Sequence, residues 1–146
     1  MTHRILLLSG PNLNLLGTRQ PEIYSTSTLD DVVAAVTQAA DGRDATVTHL
    51  QSNHEGELVE ALHAAIGTAD GLLINLAAYS HTSVALRDAI AATALPCVEV
   101  HLSNVHAREG FRHTTLTGGV SLGVITGFGV GSYTLGLTAL LDHLDA

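Results

Sequence analysis

Glu99 and His101 stand two residues apart in the mostly apolar run 95–102. On a β-strand that spacing sends both side chains from the same face, where a carboxylate can orient an imidazole and stabilise its protonated form. This is a common acid/base arrangement, and a glutamate in a central strand requires a partner. Tyr24 shares a loop with Arg19. A phenol acts as a base only if its pKa falls from about 10 toward neutrality, at about 1.4 kcal/mol per unit. A guanidinium a few ångströms away supplies a shift of that kind. On position alone, a packing or substrate-stacking role for Tyr24 is the slightly better reading. The chain has six Arg and no Lys. Imine formation on a ketone and phosphate binding through a P-loop lysine are therefore excluded as side-chain chemistry.

The elements that must position these groups follow from hydrophobic spacing. Residues 4–9 form a short apolar run that stops at Gly10-Pro11-Asn12, so the spacing predicts a buried strand ending at Ser9. Residues 29–40 have helical periodicity, with Ser27 or Thr28 as cap, Asp30 and Asp31 in the positive first turn, and Gly42 beyond the end. The same unit recurs: strand 45–51, helix 55–66, strand 71–76, helix 83–94 stopped before Pro96, strand 97–102, strand 120–126 and helix 132–144. Residues 103–119 read as a long irregular stretch. Runs such as 5–8 and 71–74 are apolar on both faces, as a covered parallel sheet demands. The expected fold is a flavodoxin-like α/β three-layer sandwich with a five-stranded parallel sheet in the order 2-1-3-4-5. At 146 residues and 46% hydrophobic composition, one domain spanning 1–146 is expected.

In such a sheet the ligand lies beyond the carboxyl ends of the strands. Asn12, Asn14 and Arg19 follow the first strand, and Asn53 and His54 the second. Asn75 and His81 follow the third, and His101, Ser103 and Asn104 the fourth. With Arg19 and Arg112, this edge can hold a polyhydroxylated anion. A loop Asn taken singly is more often a turn former than a ligand contact. Several independent strand ends all carrying such groups is what turn chemistry does not require. The formal net charge of −8 argues against nucleic acid and anionic membranes as partners. No apolar run reaches the ~18 residues of a bilayer span, and residues 1–9 are too short for a leader, so a cytoplasmic protein is expected. Cys97, the single cysteine, reads as a small buried hydrophobe.

Five runs carry a resemblance to a known family. They are GPNLNLLG at 10–17, RQPEIY at 19–24, QSNHEGEL at 51–58, NLAAYSHTSVALRDA at 75–89 and VEVHLSNVHARE at 98–109. In this order, and continuing through Phe111-Arg112-His113 to Gly127-Phe128-Gly129, they closely resemble type II 3-dehydroquinate dehydratases over nearly the whole chain. The resemblance implies a cofactor-free and metal-free hydro-lyase acting on a small anionic substrate. Tyr24 would be the base, with Arg19 keeping its phenol acidic. Asn12 would hold a water that stabilises an enolate, and His101, oriented by Glu99, would be the acid. Asn75 and the backbone amides of Leu102 and Ser103 would bind the substrate carboxylate, while His81 and Arg112 would hold ring hydroxyls. Asp88 would reach the site of a neighbouring subunit, because the family forms trimers assembled into dodecamers. The loop 16–28 would be a lid.

Gln20 and Ser25 in that loop, and Thr114-Thr115-Leu116 after His113, depart from the family pattern. Their effects are expected on the lid and on oligomer contacts. Two rival readings are weaker. Gly119-Val120-Ser121-Leu122-Gly123 matches a nucleophile elbow but precedes or enters a strand instead of turning from strand to helix. His101, His106 and His113 have no zinc spacing. A non-catalytic small-ligand module on the same fold is the alternative of a different class. Against a phosphate-binding version stands the loop after the first strand, which is not a G-x-G-x-x-G cradle.

Overall fold

The computed structural model describes residues 2–18 and 26–146. Five parallel strands form one sheet: β1 His3–Ser9, β2 Ala45–Gln51, β3 Gly71–Asn75, β4 Cys97–His101 and β5 Gly123–Thr126. Their order is β2-β1-β3-β4-β5, as the alternation of elements predicts. Four helices cover the faces: α1 Leu29–Asp41, α2 Glu55–Ala65, α3 Val84–Thr93 and α4 Val130–Asp145. The arrangement is the flavodoxin-like three-layer sandwich.

Side-chain alternation along the strands divides the core in two. Ile5, Leu7, Leu73, Val98 and Val100 face α1 and α4, meeting Val32, Val36, Leu137, Leu140 and Leu141. Leu6, Leu8, Leu72, Ile74 and Cys97 face α2 and α3, meeting Leu58, Leu62, Leu86 and Ile90. Each fully buried Leu or Ile contributes about 1.5–3 kcal/mol, so both faces of the central strands are committed to packing. Function is left to the strand ends. Cys97 is buried as expected, and burial pushes its thiol up to about 12.

Helix starts follow their caps. Thr28 Oγ1 accepts from the Asp31 amide while Asp31 accepts from the Thr28 amide, a reciprocal capping box. Ser83 Oγ accepts from the Leu86 amide at the start of α3. The main departure from the sequence reading is at β5. Residues 118–120 form a 3-10 turn, and the strand begins at Gly123. The hydroxyl of Ser121 donates to the Thr117 carbonyl, which holds the turn and delays the ladder. The other differences are of one or two residues at element ends, where assignments commonly vary. The stretch 103–119 is irregular apart from the 3-10 turns Val105–Ala107, Gly110–Arg112 and Gly118–Val120.

Gly10 stops β1 for a steric reason beyond turn chemistry. A Cβ there would lie 2.3 Å from the Leu76 carbonyl oxygen and 2.5 Å from its carbon. Backbone, unlike a side-chain tip, cannot rotate away. Gly10→Ala is expected to destabilise the fold by at least about 1–3 kcal/mol, the usual cost of overpacking. A urea titration of the variant checks this, and an unchanged midpoint would contradict it. Among the described residues, no helix is long and apolar enough to cross a membrane.

Candidate active site

A cleft of about 630 Å³, open to solvent, lies at the carboxyl ends of β1, β3 and β4. Seven of the eleven residues to which the family resemblance gives roles line it: Asn12, Asn75, His81, His101, Leu102, Ser103 and Arg112. Glu99 stands directly behind His101. Tyr24 and Arg19 lie outside the described residues. Asp88 is on α3, exposed and paired with Arg87 at 3.2 Å, and does not line the cleft of its own chain.

The Glu99–His101 pair has the geometry that its spacing predicts. His101 Nε2 donates to Glu99 Oε2 at 2.9 Å, with Glu99 fully buried and His101 5% exposed. That leaves Nδ1 as the ring nitrogen able to exchange a proton with a ligand. Burial pushes the Glu99 carboxyl up, but the hydrogen bond and charge of His101 and the hydroxyls of Thr117 and Thr115 outweigh it. The net displacement is below the usual carboxylate range.

His81 stacks beside His101, ring centroids 6.1 Å apart and planes 19° apart. Its Nδ1 donates to the Thr114 carbonyl at 2.8 Å, so Nε2 is the acceptor in the neutral ring. Burial pushes His81 below the ordinary imidazole value, and the neighbouring His101 and Arg112 charges act in the same direction. Two histidines of different character thus share one wall.

Asn75 is locked from both ends of its amide. Nδ2 donates to the Tyr133 hydroxyl at 2.7 Å, and Oδ1 accepts from the Ala77 amide at 3.1 Å. Tyr133 lies on α4, fully buried, its phenol pushed up by burial. One Asn75 amide hydrogen remains to be directed at a ligand. Asn12 adopts left-handed backbone, φ 69°, in the turn after β1, and its amide donates to Asn53 Oδ1 at 2.9 Å. Arg112 Nε donates to Glu109, and its guanidinium covers the Phe111 ring.

The structure also separates candidates that the sequence grouped. Asn14, Asn53, His54 and Asn104 do not line the cleft. Asn53 pins the backbone of the first loop and Asn104 accepts from the His106 amide within its own turn, while His54 occupies the N-cap position of α2 without a side-chain bond to the helix. These are the turn-forming roles that loop asparagines commonly take. The nucleophile-elbow reading of Ser121 fails as well, because its hydroxyl is spent on Thr117 and Cys97 away from the cleft.

Sequence reasoning missed Arg108, which lines the cleft beside Ser103. Its position four residues before Arg112 was the available signal. It missed Thr115 and Thr117 too, whose hydroxyls bond the Glu99 carboxylate. Among the described residues lining the cleft there are two arginines and two histidines but no carboxylate. The chain is acidic overall, yet its cleft suits an anion.

Fold and cleft together define a class: a parallel α/β sandwich with a buried carboxylate–imidazole pair at the sheet edge, suited to proton transfer on a small anion. The dehydroquinase class II family model matches residues 3–141, and the chain belongs to this family. It is 58% identical to the 3-dehydroquinate dehydratase of Ruegeria pomeroyi, over 97% of this chain and 95% of that protein. It is 55% identical to the one of Tolumonas auensis, over 97% and 93%. The crystal structure of type II dehydroquinase from Propionibacterium acnes superposes with a TM-score of 0.92 at 38% identity, covering 97% of this chain and 98% of that one.

Proposed function

We propose that this chain is a 3-dehydroquinate dehydratase working as one catalytic domain through a tyrosine base and a histidine acid. The observation that carries the reading is the buried Glu99–His101 pair facing an arginine-bearing cleft in a lysine-free chain. The names of the relatives support the substrate, and the absence of Lys removes the imine route.

In this reading the Tyr24 phenolate, kept acidic by Arg19, takes a proton from the carbon next to the ketone. The electron pair moves onto the ketone oxygen as an enolate, stabilised by a water held on Asn12. The enolate then collapses to a conjugated ketone as the C–O bond on the adjacent carbon breaks. His101 protonates the departing hydroxyl, which leaves as water. Tyr24 ends as phenol and His101 as neutral imidazole, and exchange with solvent resets both. Asn75 and the amides of Leu102 and Ser103 hold the carboxylate, while His81 and Arg112 hold ring hydroxyls. Asp88, outward on α3, reaches the cleft of a neighbouring subunit in a trimer, and four trimers form a dodecamer. The enzyme works in the cytoplasm without cofactor or metal, in the shikimate pathway or in quinate breakdown.

The test is direct. Purified protein given 3-dehydroquinate is expected to generate the ultraviolet absorption of a conjugated enone acid, and borohydride with substrate is expected to leave activity intact. No absorbance change with fresh substrate would remove the lyase reading in favour of a non-catalytic binding module. Substrate-dependent inactivation by borohydride would point to an imine.

A further inference from the structure

Glu99 is fully buried, and both of its carboxylate oxygens are engaged. Oε2 accepts from His101 Nε2 at 2.9 Å and from Thr115 Oγ1 at 2.7 Å, and Oε1 accepts from Thr117 Oγ1. A threonine hydroxyl has a single hydrogen. Thr115 Oγ1 accepts from the Gly118 amide at 3.1 Å, and of the acceptors within reach of its hydrogen the Glu99 carboxylate at 2.7 Å is nearer than the Ser80 carbonyl at 3.4 Å and Thr117 Oγ1 at 3.3 Å. Three donors thus converge on Glu99, and only its ionised form accepts from all three. The same short segment reaches the second histidine: Thr114 accepts from His81 Nδ1, and the Leu116 amide is tied to the Ser80 carbonyl at 2.7 Å.

We infer that Thr115 and Thr117 are positioning residues for His101, holding the Glu99 carboxylate oriented so that the imidazole stays turned to the cleft. The inference rests on the reading of His101 as the proton donor. The neighbours of His101 leave its orientation to Glu99. From β4, His101 meets Glu99, with Cys97 further along the strand; from turn 77–81 it meets His81; and the cleft's cations are Arg108 and Arg112, the latter paired with Glu109. Among these described groups Glu99 is the one that bonds the imidazole. Turning its carboxylate away would leave Nε2 without that partner in a buried wall. The segment that the sequence reading assigned to lid and oligomer differences therefore supports the acid.

The test uses Thr115→Val and Thr117→Val with Thr115→Ser and Thr117→Ser as rescue variants, on full-length protein. Carbon-13 NMR of labelled glutamate carboxyls follows Glu99 without requiring turnover. In Thr115→Val its titration is expected to move up by about one pH unit, the scale of one hydrogen bond to a charged group. In the same variant kcat is expected to fall while KM stays within a few-fold, because the imidazole is less firmly oriented toward the cleft. Both serine variants should restore wild-type behaviour. Thr115 is only partly buried, so Thr115→Val carries the test if Thr117→Val fails to fold. A Glu99 titration and a kcat both unchanged in folded Thr115→Val would overturn the inference, as would Ser variants no better than Val. Failure of the acid assignment is separable: His101→Ala would then keep its turnover whatever Glu99 does.

Discussion

Replacing His101 with alanine is expected to lower kcat by about 10²–10⁴-fold, the usual contribution of a positioned general acid. KM should change little, because the carboxylate of the substrate is assigned to Asn75 and the Leu102 and Ser103 amides. The effect is expected to be this large because hydroxide is a poor leaving group from an enolate, and no other described residue of the cleft combines an imidazole with a buried carboxylate behind it. The variant also leaves Glu99 with two donors in place of three, at a cost of about 1–3 kcal/mol for a buried group losing a partner. Kinetics should therefore be measured on protein whose circular dichroism is native. Glu99→Gln should fall between the two: it keeps a hydrogen-bond acceptor near Nε2 but removes the charge. A His101→Ala enzyme with turnover within tenfold of the original would contradict the acid assignment.

The parts of this site that were legible in the sequence are those fixed by periodicity and topology. Parallel strands put their carboxyl ends on one edge, so Asn12, Asn75 and His101 could be grouped before any contact was known. The period of two along β4 likewise gave the Glu99–His101 pair. What could not be read depends on contacts between distant segments without period. Thr117 is 18 residues from Glu99, in a stretch without helical or strand spacing. Tyr133 is 58 residues from the Asn75 amide that it fixes. Gly10 looked like turn chemistry, whereas the approach of Leu76 is what excludes a side chain. Overcounting had the opposite source. Asn53 and Asn104 were at strand ends as predicted, but their amides satisfy neighbouring backbone, an outcome that residue type alone does not separate from ligand binding. Asp88 illustrates a third limit, since on α3 it is exposed and paired with Arg87, and the proposed role in a cleft would need a second chain.

Tyr24→Phe is expected to reduce kcat by at least about 10²-fold while leaving KM within a few-fold, because it removes a proton acceptor and little binding surface. The described residues of the cleft make this a sharper question than sequence alone could. They include no carboxylate, and the Nε2 of His101 is held by Glu99. One rival base remains. His81 is pushed toward neutrality by burial, donates from Nδ1 to Thr114 and keeps an accepting Nε2 in the same wall. Two arguments favour the tyrosine. His81 and His101 stack on one side of the cleft, centroids 6.1 Å apart, whereas the family resemblance implies an anti elimination, with base and acid on opposite faces of the substrate ring. Arg108 and Arg112 further place two cations around the cleft, a setting that favours a phenolate and disfavours an imidazolium formed by proton abstraction. The pair of variants decides between them. If Tyr24 is the base, His81→Ala should act mainly on KM, through a lost hydroxyl contact, and Tyr24→Phe on kcat. The reverse pattern, with His81→Ala inactive and Tyr24→Phe retaining near-normal turnover, would transfer the base to His81 and require the substrate to bind with its acidic carbon against the histidine wall.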